Sequence, residues 1–132
     1  MKLRIFSKIR KPFLEEEKLQ IECVRWFERT HPAIKNLLHH SPNEGQRSWF
    51  VRMKLAKMGM RAGFPDLILL CGNWYNNFLA IELKTLKGNQ SKRQKDMQIT
   101  IIKAGGKYVI CRTLADFKQT INNYLSCNEK NV

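Results

Sequence analysis

Two carboxylates and an ammonium, those of Asp66, Glu82 and Lys84, stand in a part of the chain that is otherwise rich in isoleucine and leucine. Carboxylate oxygens are the ligands that Mg²⁺ and Mn²⁺ prefer, and a lysine beside them supplies a compact positive charge. Burying such charges in an apolar sheet is costly unless the carboxylates hold a metal ion. These residue types therefore predict a metal site with an adjacent ammonium.

The flanking sequence predicts a β-hairpin that brings the three residues together. Two short apolar runs, Leu67–Cys71 and Phe78–Leu83, are separated by a connection rich in Gly and Asn, which is typical of two strands joined by a turn. Because side chains alternate along a strand, Glu82 and Lys84 share one face. The hairpin then places Asp66, at the start of the first strand, near that pair.

The alternative is that Glu82 forms a solvent-facing ion pair with the lysine two residues further on, which would be nearly neutral in energy. Two features argue against it. Pro65 cannot donate to a sheet and belongs at a strand start, so Asp66 takes the first position of the strand. Phe78 and Ala80 occupy the same alternating face as Glu82, so that face is not obviously open to solvent.

Length and composition limit the class of protein. The 132 residues suffice for one domain with a core, no apolar run approaches the ~20 residues that span a membrane, and the basic N-terminus lacks the apolar stretch of a signal peptide. The four cysteines lack Cys-x-x-Cys spacing and predict reduced thiols in a cytoplasmic protein. The net charge of +13 predicts a polyanionic partner, and nucleic acid is favoured over a membrane because no amphipathic anchor accompanies the charge.

The first helix is predicted over Leu14–Thr30, preceded by residues 1–13 as a basic arm that either lies on phosphates or only solubilises the terminus. Glu16 shares a helical face with Cys23 and so leans toward the core, whereas Glu22 falls on the charged face. The alternative is that the acids at the helix start only complement the positive end of the helix dipole.

Basic and polar residues in several segments predict contact with phosphate. Two adjacent histidines at the end of a predicted strand do not chelate one ion from an extended chain, so His40 is interpreted as a hydrogen-bonding residue near phosphate, with a plain polar loop as the alternative. A helix predicted over Arg47–Met58, ended by Gly59, carries only positive charges. The residues assigned to nucleic-acid binding are His40, Asn43, Arg47, Arg52, Lys57, Arg61, Lys87 and Lys92.

The remainder of the chain predicts a strand–helix–strand crossover. Ser91 and Gln94 match a Ser-x-x-Gln capping box, so a helix from Lys92 to about residue 104 is expected. A strand over Lys107–Arg112 follows and is expected to run parallel to the preceding strand.

A last helix is predicted from Thr113 to about Ser126, followed by the tail 127–132. Together these elements predict an α/β fold, a mixed central sheet flanked by helices, in a single domain over residues 14–126.

The ordered set of motifs resembles the PD-(D/E)xK nuclease superfamily. Gly63-Phe-Pro-Asp66 is followed, after fifteen intervening residues, by Glu82-Leu-Lys84. Within that superfamily the chain is similar to VRR-NUC domains, specifically the small stand-alone kind of phages and prophages. Phe64 and Glu44 depart from the family pattern. Further matching stretches are Glu16-x-x-x-Gln20 leading to Trp26, His40-Ser-Pro-Asn43 with Arg47, Gly59-Met-Arg-Ala-Gly63, Lys87-Gly88 and Ser91-x-x-Gln94.

The resemblance implies a restriction-endonuclease-like core that uses Mg²⁺ or Mn²⁺, as one or two ions, and no small-molecule cofactor. It implies an endonuclease acting on branched DNA such as Holliday junctions or flaps, in phage DNA replication, recombination or repair, and a homodimer. The alternatives are a catalytically silent DNA-binding module and a sequence-specific restriction-type enzyme, although a core of this size leaves little to read base edges.

The resemblance also implies roles for individual residues. Asp66 and Glu82 would ligate the metal, with the Leu83 carbonyl as a further ligand and Glu16 reaching the ion directly or through water. Lys84 would orient the attacking water or stabilise the charge that develops on the phosphate. Gln94 either hydrogen-bonds the water or a ligand, or serves only as a helix cap.

Overall fold

The computed structural model describes residues 2–42 and 48–127, with side chains from residue 14 onward. A 3₁₀ helix over Pro32–Leu37 joins the first helix to the first strand. The other elements are α1 (Lys2–Thr30), β1 (Leu38–His40), α2 (Trp49–Lys57), β2 (Leu67–Leu69), β3 (Phe78–Leu83), α3 (Lys92–Lys103), β4 (Gly106–Cys111) and α4 (Leu114–Ser126).

The four strands form one mixed sheet in the order β1-β2-β3-β4. β1 and β3 both run antiparallel to β2, whereas β4 runs parallel to β3. The predicted hairpin, the parallel crossover through α3 and the α/β class are therefore confirmed. In the hairpin Leu67 faces Ile81, and extending this register by one residue sets Asp66 opposite Glu82.

The two faces of the sheet are covered by different helices, as strand alternation requires. Odd-numbered residues of β2 and β3, such as Leu67 and Ile81, are buried with Cys23 and Phe27 of α1 and with α4. Even-numbered residues lie on the opposite face, where Ile68 and Ala80 pack with Ile101 of α3. The α4 side chains in the larger cluster are Phe117, Ile121 and Tyr124.

The first helix begins at Lys2 rather than at Leu14, so the predicted start was wrong. The change in charge pattern at Leu14 suggested a boundary, but charge alone does not end a helix. The preceding segment contains no glycine and one proline, Pro12, so few residues oppose helix formation there. Contact of residues 1–13 with phosphate stays a prediction.

The second helix begins at Trp49, after Ser48, whose hydroxyl accepts a hydrogen bond from the Val51 amide. We predicted a start at Arg47. Asn43 and Arg47 lie outside the described residues.

All four cysteines are free thiols, and Cys23 and Cys111 are fully buried. None of the helices in the described part of the chain is long and apolar enough to cross a membrane.

Candidate active site

Asp66 and Glu82 lie next to each other at one end of the sheet, and both are buried, with exposed fractions of 5% and 2%. The hairpin register holds them there. The Leu83 amide donates a hydrogen bond of 2.7 Å to Asp66 Oδ2, so the Asp66 carboxylate is fixed against the end of β3.

The Glu82 carboxylate has different surroundings at its two oxygens. Gln94 Nε2 donates to Oε1 at 2.8 Å, and Lys84 Nζ lies 3.8 Å from the same oxygen. Oε2 is buried and has no hydrogen-bond partner among the described residues. Burial, followed by the negative charge of Asp66, raises the pKa of Glu82 to about 8, although Lys84 opposes the shift.

A divalent cation fits this pair of carboxylates. A buried oxygen without a hydrogen bond is costly, and Glu82 Oε2 adjoins a second carboxylate of the hard-oxygen type that Mg²⁺ and Mn²⁺ bind. Within the described residues no group of three or more His, Cys, Asp or Glu side chains is placed to hold a metal. Two carboxylates suffice for Mg²⁺, which usually keeps several waters and binds substrate phosphate. Ligation by the Leu83 carbonyl and by Glu16 stays a prediction.

Glu16 of α1 lies near the carboxylate pair and Lys84. Its side chain is half-buried, whereas Glu22 on the same helix is exposed. Burial raises the pKa of Glu16; the positive charge of Lys84 opposes this, the charge of Asp66 adds to it, and a hydrogen bond with the Thr85 backbone lowers it. Glu16 therefore lies within electrostatic reach of both Lys84 and Asp66.

Comparison of two glutamates on this helix tests the role of Glu16. We expect Glu16→Ala to reduce phosphodiester cleavage about tenfold or more, since it removes a charge that acts on the site, and Glu22→Ala to leave the rate within about twofold. Steady-state cleavage rates of the two purified variants at equal metal concentration would measure this. Equal rates for both variants, or a larger loss with Glu22→Ala, would contradict the assignment.

The sequence left open whether Gln94 contacts the site or only caps a helix, and in the structure its side chain does both. Its side-chain oxygen accepts from the Ser91 amide at 2.9 Å while Ser91 Oγ accepts from the Gln94 amide, which completes the capping box of α3. Its Nε2 is the group that donates to Glu82. The start of α3 is therefore tied directly to the orientation of the Glu82 carboxylate.

Gly63 lets the segment before Asp66 approach the start of α3. It has a φ of +76°, and a Cβ built there would lie 2.5 Å from the carbonyl carbon and oxygen of Arg93. These atoms are backbone, so they cannot move aside without shifting α3 and Gln94 with it.

A pair of glycine variants isolates this close approach. We expect Gly63→Ala to lower the free energy of unfolding by about 2 kcal/mol more than Gly59→Ala. Gly59 also has a positive φ, +105°, but open space around its Cβ position, so both variants carry the backbone strain and only Gly63→Ala adds the clash. Urea unfolding of both proteins would measure the difference. Equal losses would show that the start of α3 yields to the added methyl group.

His40 lies beside the site at the end of β1. Its Nδ1 is 2.9 Å from the backbone oxygen of Asp66, and the Ser41 amide donates to the same oxygen. The His40 ring therefore contacts the strand end that carries the first carboxylate.

The basic residues predicted to contact DNA differ in their exposure and in their hydrogen bonds. Arg61 Nη1 donates to the backbone oxygens of Ala56 and Met60 and so helps to close α2. The exposed members of the set are His40, Arg52, Lys57, Arg61, Lys87 and Lys92.

Arg112 is a site residue that sequence reasoning missed. Its Nη1 donates to the backbone oxygens of Thr85 and Gly88 at 2.8 and 2.6 Å, which fixes the loop after Lys84. It lines an open groove of about 460 Å³ together with Glu16, Lys84 and other residues of α1 and this loop. No motif marks Arg112, and only its position at the end of a strand parallel to β3 could have indicated it.

Comparisons with known proteins give consistent matches. A family model described as the VRR-NUC domain matches residues 3–115. A solved structure titled "VRR_NUC domain protein" superposes with a TM-score of 0.76 at 24% sequence identity, covering 86% of this chain and 90% of the other. At that identity the superposition shows the fold. A comparison with curated proteins gave no match.

Proposed function

The chain belongs to the VRR-NUC domain family, which consists of PD-(D/E)xK nucleases, and from that premise we propose that it is a Mg²⁺- or Mn²⁺-dependent endonuclease that cleaves branched DNA. One observation carries the chemical part of this proposal. In the buried pair of Asp66 and Glu82, Glu82 Oε2 has no hydrogen bond among the described residues, and the ammonium of Lys84 lies 3.8 Å from the other oxygen, Oε1. A cation bound by the pair offsets the cost of burying these charges.

Asp66 and Glu82 would hold the metal. When bound there, a divalent ion supplies a water of lowered pKa and neutralises charge on the scissile phosphate. The protein contributes the fixed geometry, because the Leu83 amide orients the Asp66 carboxylate and Gln94 orients the Glu82 carboxylate. Ligands held in place in this way need little rearrangement during the reaction.

We propose that Lys84 acts on the reacting phosphate. Its side chain is only 13% exposed, and its Nζ lies 3.8 Å from Glu82 Oε1, so the positive charge is held beside the carboxylate pair. From this position the ammonium can orient the attacking water or stabilise the charge that develops on the phosphate. Glu16, which lines the same groove as Lys84, would reach the ion directly or through water.

Recognition of DNA by its shape follows from the charge and the size of the chain. The net charge of +13 gives strong attraction to phosphate without base specificity. Apart from α2, the described elements form the sheet and its covering helices, and they include no further reading domain. A branched substrate, and a role in phage DNA replication, recombination or repair, are supported by the resemblance to stand-alone phage domains.

A two-fold dimer is the arrangement we propose for the active enzyme. Two copies would present two active sites to the paired strands of a branch point, and closed two-fold symmetry is the commonest way to achieve this. Exposed apolar side chains that a second copy could cover include Leu14 and Ile21 of α1 and Ile99 and Ile102 of α3. Light scattering of the purified protein would measure its mass, and a mass of 15.6 kDa in the active protein would exclude the dimer.

Cleavage of matched DNA substrates tests the function. Labelled linear duplex, flap and four-way-junction DNA would be incubated with Mg²⁺, with Mn²⁺ and with EDTA. We expect metal-dependent cutting of the branched DNA in preference to the duplex. Binding without cutting in both metals would favour the silent DNA-binding module, and cutting of the linear duplex at one defined sequence would favour a restriction-type enzyme.

A further inference from the structure

Helix α2 exposes aromatic side chains that belong to neither hydrophobic cluster of the described residues. None of its nine residues is buried, and the side chains of Trp49 and Phe50 are 60% and 78% exposed. An isolated helix of this length is only marginally stable in water, and a cluster of exposed aromatic residues is typical of a binding surface. We therefore expect a binding partner to cover α2 when the protein functions.

The charge on α2 favours a polyanion as the molecule that covers it. Arg52, Lys54 and Lys57 alternate with the apolar side chains, and no acidic residue occurs between Ser48 and Pro65. A second copy packed on this helix about a two-fold axis would bring the same positive charges together. Nucleic acid instead offers phosphates for the cations and flat bases for the aromatic rings.

The side chains of α2 form a shallow surface suited to a flat ring. The rings of Trp49 and Phe50 meet edge to face, with centroids 5.2 Å apart. A neighbouring depression of about 410 Å³, within the range of small-ligand pockets, is lined by Trp49, Phe50, Met53, Lys54, Lys57 and Met58.

The topology places α2 at the end of the sheet that carries the carboxylates. β1 ends at His40 and β2 begins at Leu67, and these two residues face each other in the sheet. The segment between them, which contains α2, therefore leaves and re-enters the sheet beside Asp66. The re-entry is held close to α3 by the approach of Gly63 to Arg93.

We propose that Trp49 and Phe50 form a platform on which an unpaired base of the DNA substrate stacks, while Arg52, Lys54 and Lys57 contact the adjoining phosphates. The inference rests on the proposed nuclease function for its substrate, because flaps and branch points expose unpaired bases close to the phosphodiester that is cut. It adds a reason for branched DNA to be preferred over duplex, in which every base is already stacked.

Binding in EDTA separates this platform from cleavage. The affinities of wild type, Trp49→Ala and Trp49→Phe for a labelled flap and for a paired duplex of equal length would be measured by fluorescence anisotropy. We expect Trp49→Ala to weaken binding to the flap about tenfold and to the duplex less than about threefold, and Trp49→Phe to restore most of the loss. Trp74→Ala is the matched control, because Trp74 is also exposed but lies in the β2–β3 connection, at the opposite end of the hairpin from Asp66.

Each outcome of these measurements either supports or overturns the proposed stacking platform. Equal weakening for flap and duplex, or no weakening, overturns the platform. Light scattering would show whether Trp49→Ala converts a dimer to a monomer. If it does, and if the affinity for flap and duplex falls equally, α2 contacts a second copy of the chain and the stacking platform is likewise overturned. Cleavage of branched DNA with Mg²⁺ by a protein whose Trp49→Ala variant binds the flap normally would leave the nuclease proposal standing alone. A selective Trp49→Ala defect in a protein that cuts nothing would leave only the platform.

Discussion

Replacement of Asp66 by alanine is expected to reduce phosphodiester cleavage by about a thousandfold or more. The carboxylate lies opposite Glu82 and is oriented by the Leu83 amide at 2.7 Å, so its loss removes one of the two side chains that would hold the metal. A metal ion contributes several kcal/mol to stabilising the transition state, and about 1.4 kcal/mol corresponds to each tenfold in rate. Single-turnover cleavage of a four-way junction with saturating protein would measure the effect.

Two control variants separate chemistry from folding. Asp66→Asn keeps an oxygen that can accept from the Leu83 amide, so we expect a folded protein with a cleavage rate as low as that of the alanine variant. Asp96→Ala removes an exposed carboxylate of α3 and is expected to cleave at the wild-type rate. DNA binding in EDTA should be retained by all three variants. Cleavage by Asp66→Asn above about one tenth of the wild-type rate would contradict the role of Asp66 as a ligand.

Replacement of Glu82 by glutamine is expected to change activity and stability in opposite directions. Cleavage should fall about a thousandfold, since the second metal-binding carboxylate is lost. The metal-free protein should become more stable by about 1–3 kcal/mol, because Glu82, whose pKa is raised to about 8, has to take up a proton when the chain folds at neutral pH, whereas glutamine is neutral in both states. The glutamine oxygen can still accept from Gln94, and its amide can donate toward Asp66.

Urea unfolding in EDTA at neutral pH, beside the same measurement with Mg²⁺, would test both signs. We expect the variant to exceed the wild type in EDTA and to gain less than the wild type from Mg²⁺, because a ligand stabilises only the state that binds it. A less stable variant in EDTA would show that the ion pair with Lys84, at 3.8 Å, outweighs the cost of burying the carboxylate.

The elements around the site were predictable because local rules determine them. Strand alternation relates Glu82 to its neighbours, and the Ser91–Gln94 capping box begins α3 as expected. The strand after Pro65 begins at Leu67, one residue later than predicted. The connection between the two apolar runs brings the start of β2 near the end of β3, although the apolar pattern does not fix the register, because both faces of these strands are buried. The meeting of Asp66 and Glu82 could therefore be predicted from the sequence, whereas their chemical roles stay proposals.

Other features depend on contacts between distant segments and could not be predicted. Arg112 follows β4, and its side chain donates to the Thr85 and Gly88 carbonyls in the loop that follows the neighbouring strand β3. No local sequence pattern specifies such a contact. The sequence predicted a basic helix at α2 but gave no indication that its aromatic side chains are exposed. Apolar residues in a helix normally indicate a buried face, but Trp49 and Phe50 follow a segment that leaves the sheet, and no other element of the described residues covers them.

The turn of the hairpin lies at the opposite end of β2 and β3 from the carboxylates. Asn73 organises it, since its side chain accepts from the amides of Tyr75 and Asn76 and donates to the Tyr124 carbonyl. Residues added in this turn would leave the pairing of the strands unchanged, so relatives can acquire loops or whole inserted domains there without altering the active centre. One residue added within β3 would instead turn Glu82 to the other face of the sheet. Divergence in length is therefore expected to accumulate at the turn and to be excluded from the strand.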